Sequence, residues 1–100
     1  MTTSQTISWI FFATVLASLL KPSNYRGISS IADGLNHAVP THQELQTSLS
    51  WLVKHDFVEK TGTKYSVTQK GIGVYKNAKA DTENRFVIWK KLEEVFEAML

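Results

Sequence analysis

The sequence contains no cysteine. The chain can therefore form no disulfide, no thiolate nucleophile and no cysteine-ligated zinc site, and this composition is typical of proteins of a reducing cytoplasm. The one long apolar stretch, residues 7–20, has no lysine or arginine before it and is too short to span a bilayer as a helix. We therefore predict a cytoplasmic protein without a membrane segment, in which residues 7–20 form a buried helix.

Motifs for catalysis and metal binding are also missing. The chain has no glycine-rich phosphate loop followed by lysine, no nucleophile elbow and no paired carboxylates flanking apolar sequence. Its three histidines, His37, His42 and His55, include no pair three or four residues apart with a carboxylate beside it. We predict that the protein is not an enzyme and has no metal site and no cofactor.

The composition is that of one folded domain. A hydrophobic content of 43% is too high for a disordered chain, so we predict a single domain over residues 1–100. The formal net charge is only +2, but residues 41–80 hold six lysines against three acidic residues. Such an excess permits contact with a polyanion without requiring it, because phosphate binding depends on local clusters of cations.

Apolar spacing and capping patterns predict the first three helices. Residues 6–20 are apolar on nearly every side of a helix, which must then be covered on more than one side, and we expect a second subunit to supply part of that cover. Helical spacing predicts a short second helix over residues 29–36. Thr41 and Glu44 form a capping-box pattern that places the start of a third helix, ending near Lys54, just after Pro40.

A hairpin should follow the third helix. Asp56 can adopt the left-handed backbone that closes a helix, and residues 57–60 then alternate as a strand. Residues 61–63 form a turn, and residues 64–67 return as a second, antiparallel strand. Such a pair is marginal in water, so it must pack against the helices.

Two further helices complete the prediction. Thr68 is the expected N-cap of a fourth helix, whose early glycines, Gly71 and Gly73, should allow close approach to the hairpin or the first helix. After a break at residues 81–84, a last helix over residues 85–100 is apolar over about half its circumference. The predicted fold class is therefore α+β, mainly helical with one small β-hairpin.

This order of elements, three helices and then a hairpin, resembles the winged helix-turn-helix superfamily. The spacing of Leu49, Leu52, Phe57 and Val58 is similar to the end of a recognition helix entering the first wing strand. Asp56 stands where that superfamily usually has glycine, and both residues tolerate the left-handed backbone.

The segment Tyr65–Gly71 resembles the strand, threonine and glycine that close the wing. With its very apolar first helix and its C-terminal helix, the chain is similar to small dimeric bacterial regulators of the PadR and MarR type. The resemblance implies a winged helix over residues 6–79 and a C-terminal dimerisation helix over residues 82–100.

A transcriptional regulator that binds double-stranded DNA as a homodimer is the function that this resemblance implies. The third helix would lie in the major groove, where glutamine can pair with adenine, and lysines would neutralise phosphates. The predicted DNA-binding residues are His42, Gln43, Gln46, Thr47, Ser50 and Lys54 on the third helix, Lys60 and Lys64 on the wing, and Tyr25 and Arg26 ahead of the second helix.

Alternatives remain open for both the partner and the oligomeric state. The predicted dimer interface comprises Trp9, Phe12, Phe86, Trp89, Phe96 and Leu100. In a monomer, the last helix would instead fold back over the first. The alternative function is a protein-interaction module that uses the last helix or the side of Trp51, a residue that we otherwise expect to be partly buried. The low net charge and the lack of arginine in the third helix favour that alternative.

Overall fold

The computed structural model describes residues 1–100 and contains five α-helices and one two-stranded antiparallel sheet. In chain order the elements are α1 (Thr3–Ala17), α2 (Tyr25–Asn36), α3 (His42–Lys54), β1 (Val58–Thr61), β2 (Lys64–Val67), α4 (Gln69–Ala78) and α5 (Arg85–Glu97). The predicted fold class is confirmed. No helix combines the length and the apolar character needed to cross a membrane.

Helix α1 lies at the centre of the molecule. Every residue from Ile7 to Val15 is buried, because α2, α3 and α5 pack around it and β2 and α4 add further contacts. The chain itself therefore supplies the cover that the sequence analysis assigned to a second subunit. An all-round apolar helix is expected wherever neighbours enclose it, whether or not those neighbours belong to the same chain.

Hydrogen bonds satisfy the few polar groups within this core. The Trp9 indole Nε1–H donates to the carbonyl oxygen of Ala32, with a nitrogen–oxygen distance of 2.9 Å, and thereby ties α1 to α2. The Thr14 hydroxyl donates to the Ile10 carbonyl oxygen one turn earlier, at 2.7 Å. Every fully buried side-chain nitrogen or oxygen has a partner, so the polar residues of α1 do not destabilise the core.

Capping side chains place the starts of α1 and α2 earlier than predicted, and α1 also ends earlier. Thr2 and Gln5 form a capping box, so α1 begins three residues earlier than predicted. It also ends at Ala17, which leaves Leu20 fully outside the core, 99% exposed. Helix α2 begins four residues earlier than predicted because the Asn24 side chain accepts a hydrogen bond from the backbone N–H of Gly27.

The hairpin differs by one residue from its predicted bounds and has one unpredicted partner. Strand β1 begins at Val58, and Thr61 pairs with Lys64, so only Gly62 and Thr63 form the turn that was predicted over residues 61–63. Asp56 has a φ of 66°, which confirms the left-handed backbone expected between α3 and β1. The backbone of Ser23 pairs with that of Tyr65, with nitrogen–oxygen distances of 2.8 Å and 2.7 Å, so the loop before α2 is fastened to β2. Local sequence patterns do not reveal a pairing between residues so far apart.

The N-terminal turn of helix α4 packs closely against the hairpin. The Thr68 side chain accepts a hydrogen bond from the Gly71 N–H, which confirms Thr68 as the N-cap. A Cβ atom on Gly71 would overlap the carbonyl oxygen of Phe57 and a methyl group of Val67, so this glycine does allow close approach to the hairpin. Gly73 has no such neighbour, and the same prediction for it is wrong.

Helix α5 packs its apolar face against α1 of the same chain. The rings of Phe11 and Phe57 each lie 5.2 Å from that of Phe96, and the partly buried ring of Trp51 lies at 5.7 Å. The predicted partial burial of Trp51 is therefore confirmed. These edge-to-face contacts join α1, α3 and α5 in one aromatic cluster.

Three residues of the predicted dimer interface belong to this core. Trp9, Phe12 and Phe96 are buried within the single chain and are not available to a partner, so their assignment to an interface is wrong. Apolar spacing identified them as buried but did not show what buries them. Phe86 is 73% exposed and Leu100 is 57% exposed, while Trp89 is partly buried and stacks against Trp9.

Candidate nucleic-acid interface

Helix α3 presents a continuous polar stripe to solvent. At roughly 3.6 residues per turn, its members fall within about 100° of the helix circumference. This stripe consists of Gln43, Gln46, Thr47, Ser50 and Lys54, and all five are exposed. His42 is also exposed and lies beside the stripe. Leu45, Leu49 and Leu52 on the other side hold the helix against the core.

The start of α3 is set by a reciprocal cap. The Thr41 hydroxyl accepts a hydrogen bond from the Glu44 N–H at 3.0 Å, and the Glu44 carboxylate accepts one from the Thr41 N–H at 2.8 Å. Glu44 is the only acidic residue of the helix, and this bond holds its carboxylate at the N-terminus. The exposed polar stripe therefore carries no negative charge of its own.

Tyr25 joins three elements at one end of the polar stripe. Its ring stacks on that of Tyr65 in β2, with centroids 5.7 Å apart and planes within 5° of parallel. The imidazole of His42, the first residue of α3, meets the Tyr25 ring edge to face at 5.8 Å. The first turns of α2 and α3 are therefore fastened to the hairpin by aromatic contacts.

A pocket of about 350 Å³ opens between the start of α2 and the hairpin. The pocket, which we name the tyrosine pocket, is lined by Asn24, Tyr25, Arg26, Lys60, Thr63 and Tyr65. All six side chains can donate hydrogen bonds, two carry a positive charge and none is a carboxylate. This arrangement suits an anionic oxygen group such as a phosphate.

Lys60 and Lys64 lie on opposite faces of the hairpin. Lys60 pairs with Tyr65 across the ladder, and Lys64 pairs with Thr61. Because cross-strand partners share a face and successive residues alternate, Lys60 faces the tyrosine pocket while Lys64 points the other way. The Lys60 Nζ lies 5.8 Å from the centroid of the Tyr65 ring, in agreement with this geometry.

The structure thus brings together four of the ten predicted DNA-binding residues, namely Tyr25, Arg26, His42 and Lys60. Five more lie along the polar stripe, and Lys64 stands apart on the outer face of the hairpin. Asn24, Thr63 and Tyr65 also line the site and were not among the predicted residues. Counting residues outward from the hairpin turn predicts that Tyr65 lies opposite Lys60. No local sequence pattern, however, links either residue to α2.

A neighbouring groove between α2 and α3 is less suited to an anion. It has a volume of about 480 Å³ and shares Tyr25 and Arg26 with the tyrosine pocket. It is also lined by Asp33, whose carboxylate repels negative charge. We therefore place the preferred anion position on the hairpin side of Tyr25.

The pKa of the Tyr25 phenol lies above its ordinary value of 10.0. Burial is the main cause, the adjacent Tyr65 hydroxyl adds to the increase, and the positive charge of Lys60 acts in the opposite direction. The Tyr25 hydroxyl consequently remains protonated throughout the physiological range and can donate a hydrogen bond to an anion.

The raised pKa of Tyr25 can be checked by an alkaline titration of tyrosine absorbance. We expect the difference between the wild-type curve and that of Tyr25→Phe to have its midpoint above pH 10.0. Because the pKa of the Tyr25 phenol is raised in the folded state, the contribution of this group to the free energy of unfolding is present below pH 10.0. It is lost as the pH rises through the folded-state pKa. A midpoint at or below 10.0 would contradict this account of the pocket.

Comparison of the chain with known protein families, with curated proteins and with solved structures finds no match. The structure contains no group of three or more His, Cys, Asp or Glu side chains placed to hold a metal ion. The polar stripe and the tyrosine pocket are the two candidate binding features of the surface.

Proposed function

We propose that this chain is a winged-helix protein that binds double-stranded DNA, with α3 in the major groove and the hairpin as a wing against the backbone. The observation that carries the proposal is the tyrosine pocket, which gathers Arg26 and Lys60 beside the first turn of α3. Phosphate contacts position a protein on the duplex, and contacts to base edges supply specificity. The pocket provides the first kind of contact and the polar stripe provides the second.

The polar stripe has the chemistry for base recognition. Gln43 and Gln46 each carry an amide that can pair with adenine through two hydrogen bonds, and the Ser50 hydroxyl can donate or accept. Lys54 at the end of α3 adds a positive charge that can neutralise a phosphate. The stripe lacks arginine, so we expect weaker discrimination of guanine than of adenine.

Homodimerisation and cytoplasmic location remain parts of the proposal. A two-fold dimer would place two α3 helices in successive major grooves, about one helical turn apart. Phe86 and Leu100 are the exposed residues of the predicted interface and are the ones through which a partner subunit could be contacted.

The DNA-binding proposal predicts strong salt dependence. In fluorescence anisotropy with a labelled random-sequence duplex, we expect affinity to fall steeply between low and moderate salt, since each neutralised phosphate contributes about 0.9 to the logarithmic slope. Lys60→Gln should therefore reduce that slope by about 0.9. Lys76→Gln, which removes the same charge from the exposed surface of α4, is the matched control and should leave the slope unchanged.

Two results would count against this proposal. One is an absence of binding even at low salt. The other is an equal effect of Lys60→Gln and Lys76→Gln, which would show that binding follows total charge and does not involve the tyrosine pocket. If the random-sequence duplex binds as expected, preferred sites can then be selected from a library of duplexes. Gln46→Ala should change which bases are preferred.

A protein-interaction module is the second candidate, and exposed apolar side chains favour it. Leu20, in the loop after α1, is 99% exposed, and Phe86 is 73% exposed at the start of α5. Such residues are consistent with an apolar contact, which would change little with salt. An absence of DNA binding would make this candidate the better account of the fold.

A further inference from the structure

Helix α5 carries basic residues in its first half and acidic residues in its second half. They are Arg85, Lys90, Lys91, Glu93, Glu94 and Glu97. The helix dipole favours the opposite order, with acidic residues at the start of a helix and basic residues at its end. No acidic residue lies in the first turn of α5, and no basic residue lies in its last turn. The order of charges therefore does not stabilise α5 itself, and any complement to it lies outside the helix.

The rest of the chain complements this order only in part. Lys91 pairs with Asp81 in the loop before α5, and Lys90 lies 3.5 Å from Glu93 in the same helix. Glu94 is exposed and forms no ion pair within the chain. Lys90 precedes it by four residues, but lysine before glutamate at this spacing is the less favourable order within one helix. Glu94 is therefore free to pair with a cation of another molecule.

Lys90 and Glu94 lie at the centre of the exposed face of α5. At about 100° per residue, six exposed side chains fall within about 120° of the helix circumference. This face consists of Phe86, Val87, Lys90, Glu94, Glu97 and Ala98. Leu92 lies midway between Lys90 and Glu94 along the helix, on the buried side. Turning the helix end for end about the level of Leu92 brings Lys90 to the position of Glu94, and Val87 close to that of Ala98. The exposed face is therefore complementary in charge to an antiparallel copy of itself.

We propose that α5 of one chain packs antiparallel against α5 of a second copy, about a two-fold axis at the level of Leu92. Lys90 of each chain then faces Glu94 of the partner subunit, so two equivalent ion pairs form across the axis. A parallel pair would instead place each charge beside its like, which is unfavourable. The position of two α3 helices on DNA rests on the proposed function, whereas the pairing of α5 does not.

The exposed face of α5 has room for the partner helix. A groove of about 460 Å³ lies along the first half of this face and is lined by Asn84, Phe86, Val87, Lys90, Lys91 and Glu94. In the antiparallel arrangement, the acidic second half of the other α5 covers this groove and its two lysines. One helix from each chain makes a smaller contact than standard interfaces, which bury roughly 1,200–2,000 Å². We therefore expect a dissociation constant on the order of 10 μM, with mostly monomers below that concentration.

Charge reversal tests this pairing, by analytical ultracentrifugation of the protein without DNA at low ionic strength. The wild type should sediment as a dimer at about 200 μM, well above the expected dissociation constant. Lys90→Glu and Glu94→Lys each place like charges opposite one another and should weaken dimerisation at least roughly tenfold. Glu59→Lys, which makes the same change of charge on the exposed surface of β1, is the matched control and should leave dimerisation unchanged.

A mixture of the two α5 variants gives the most specific result. In a mixed dimer each substituted position faces the opposite charge, so Lys90→Glu and Glu94→Lys together should dimerise about as tightly as the wild type. Labelling one variant with 15N allows native mass spectrometry to identify the mixed dimer. Repair of an ion pair within one helix does not explain such a result, because each chain still carries like charges at positions 90 and 94.

Three results would overturn the proposed pairing. They are a wild type that stays monomeric at that concentration, an effect of Glu94→Lys no greater than that of Glu59→Lys, and a mixture that does not dimerise. If the wild type is a monomer and binds the duplex with the expected salt dependence, the α5 pairing is wrong and the DNA-binding function stands. If the mixture dimerises and no duplex binds, the α5 pairing stands and the DNA-binding function is wrong.

Discussion

Phe96→Ala is expected to lower the free energy of unfolding by about 3–5 kcal/mol. The Phe96 side chain is fully buried, and its ring contacts those of Phe11, Phe57 and Trp51. Removing it leaves a cavity where α1, α3 and α5 meet. Since small domains are stable by about 5–15 kcal/mol, this single change removes a large part of the total. Urea unfolding followed by circular dichroism measures the effect.

Phe86→Ala is the matched control for this experiment. Phe86 lies in the same helix, but its side chain is 73% exposed, so its removal should change stability by no more than about 0.5 kcal/mol. A much larger loss would show that a partner subunit buries Phe86. Repeating the wild-type unfolding at several protein concentrations gives a second readout, because the midpoint of an obligate dimer rises with concentration and that of a monomer does not.

Substitution of two glycines in α4 should change stability in opposite directions. Gly71→Ala is expected to destabilise the protein by about 1–3 kcal/mol, as overpacked positions do. The added methyl group would overlap the Phe57 carbonyl oxygen, which also accepts a hydrogen bond from the Thr68 N–H, and a methyl group of Val67. Relief of that overlap requires the hairpin to move away from α4.

Gly73→Ala should instead stabilise the protein by about 0.5–1 kcal/mol, because alanine is the better helix former. No atom lies near the position that its Cβ would occupy. Thermal unfolding of the two variants beside the wild type measures both effects. Equal destabilisation by the two substitutions would contradict the described contact between α4 and the hairpin.

Several features of the fold were predictable because their causes lie within a few residues of chain. The cap of α3 joins Thr41 to Glu44, and the cap of α4 joins Thr68 to Gly71. The left-handed turn at Asp56 depends on the backbone tolerance of that residue type. The predicted starts of α1 and α2 are wrong, although the Thr2 and Asn24 caps that set them are equally local.

The candidate site was predictable only in part. The polar stripe follows from helical spacing once α3 is located, so its residues are exposed as expected. The tyrosine pocket depends on contacts between residues about forty positions apart, such as Tyr25 and Tyr65. The entropic cost of loop closure and the complementarity of the packed surfaces decide which distant segments meet. Neither can be recognised in a local sequence pattern.

By itself, the sequence determined the number and type of elements and the polar side of α3, since these follow from capping, backbone preference and apolar periodicity. The tertiary structure decided what covers α1, and it made Trp9, Phe12 and Phe96 core residues of one chain. It also placed Lys60 and Arg26 in the same pocket, while Lys64 lies on the opposite face of the hairpin. Periodicity shows that a face must be buried, whereas only the packing of whole elements shows which surface buries it.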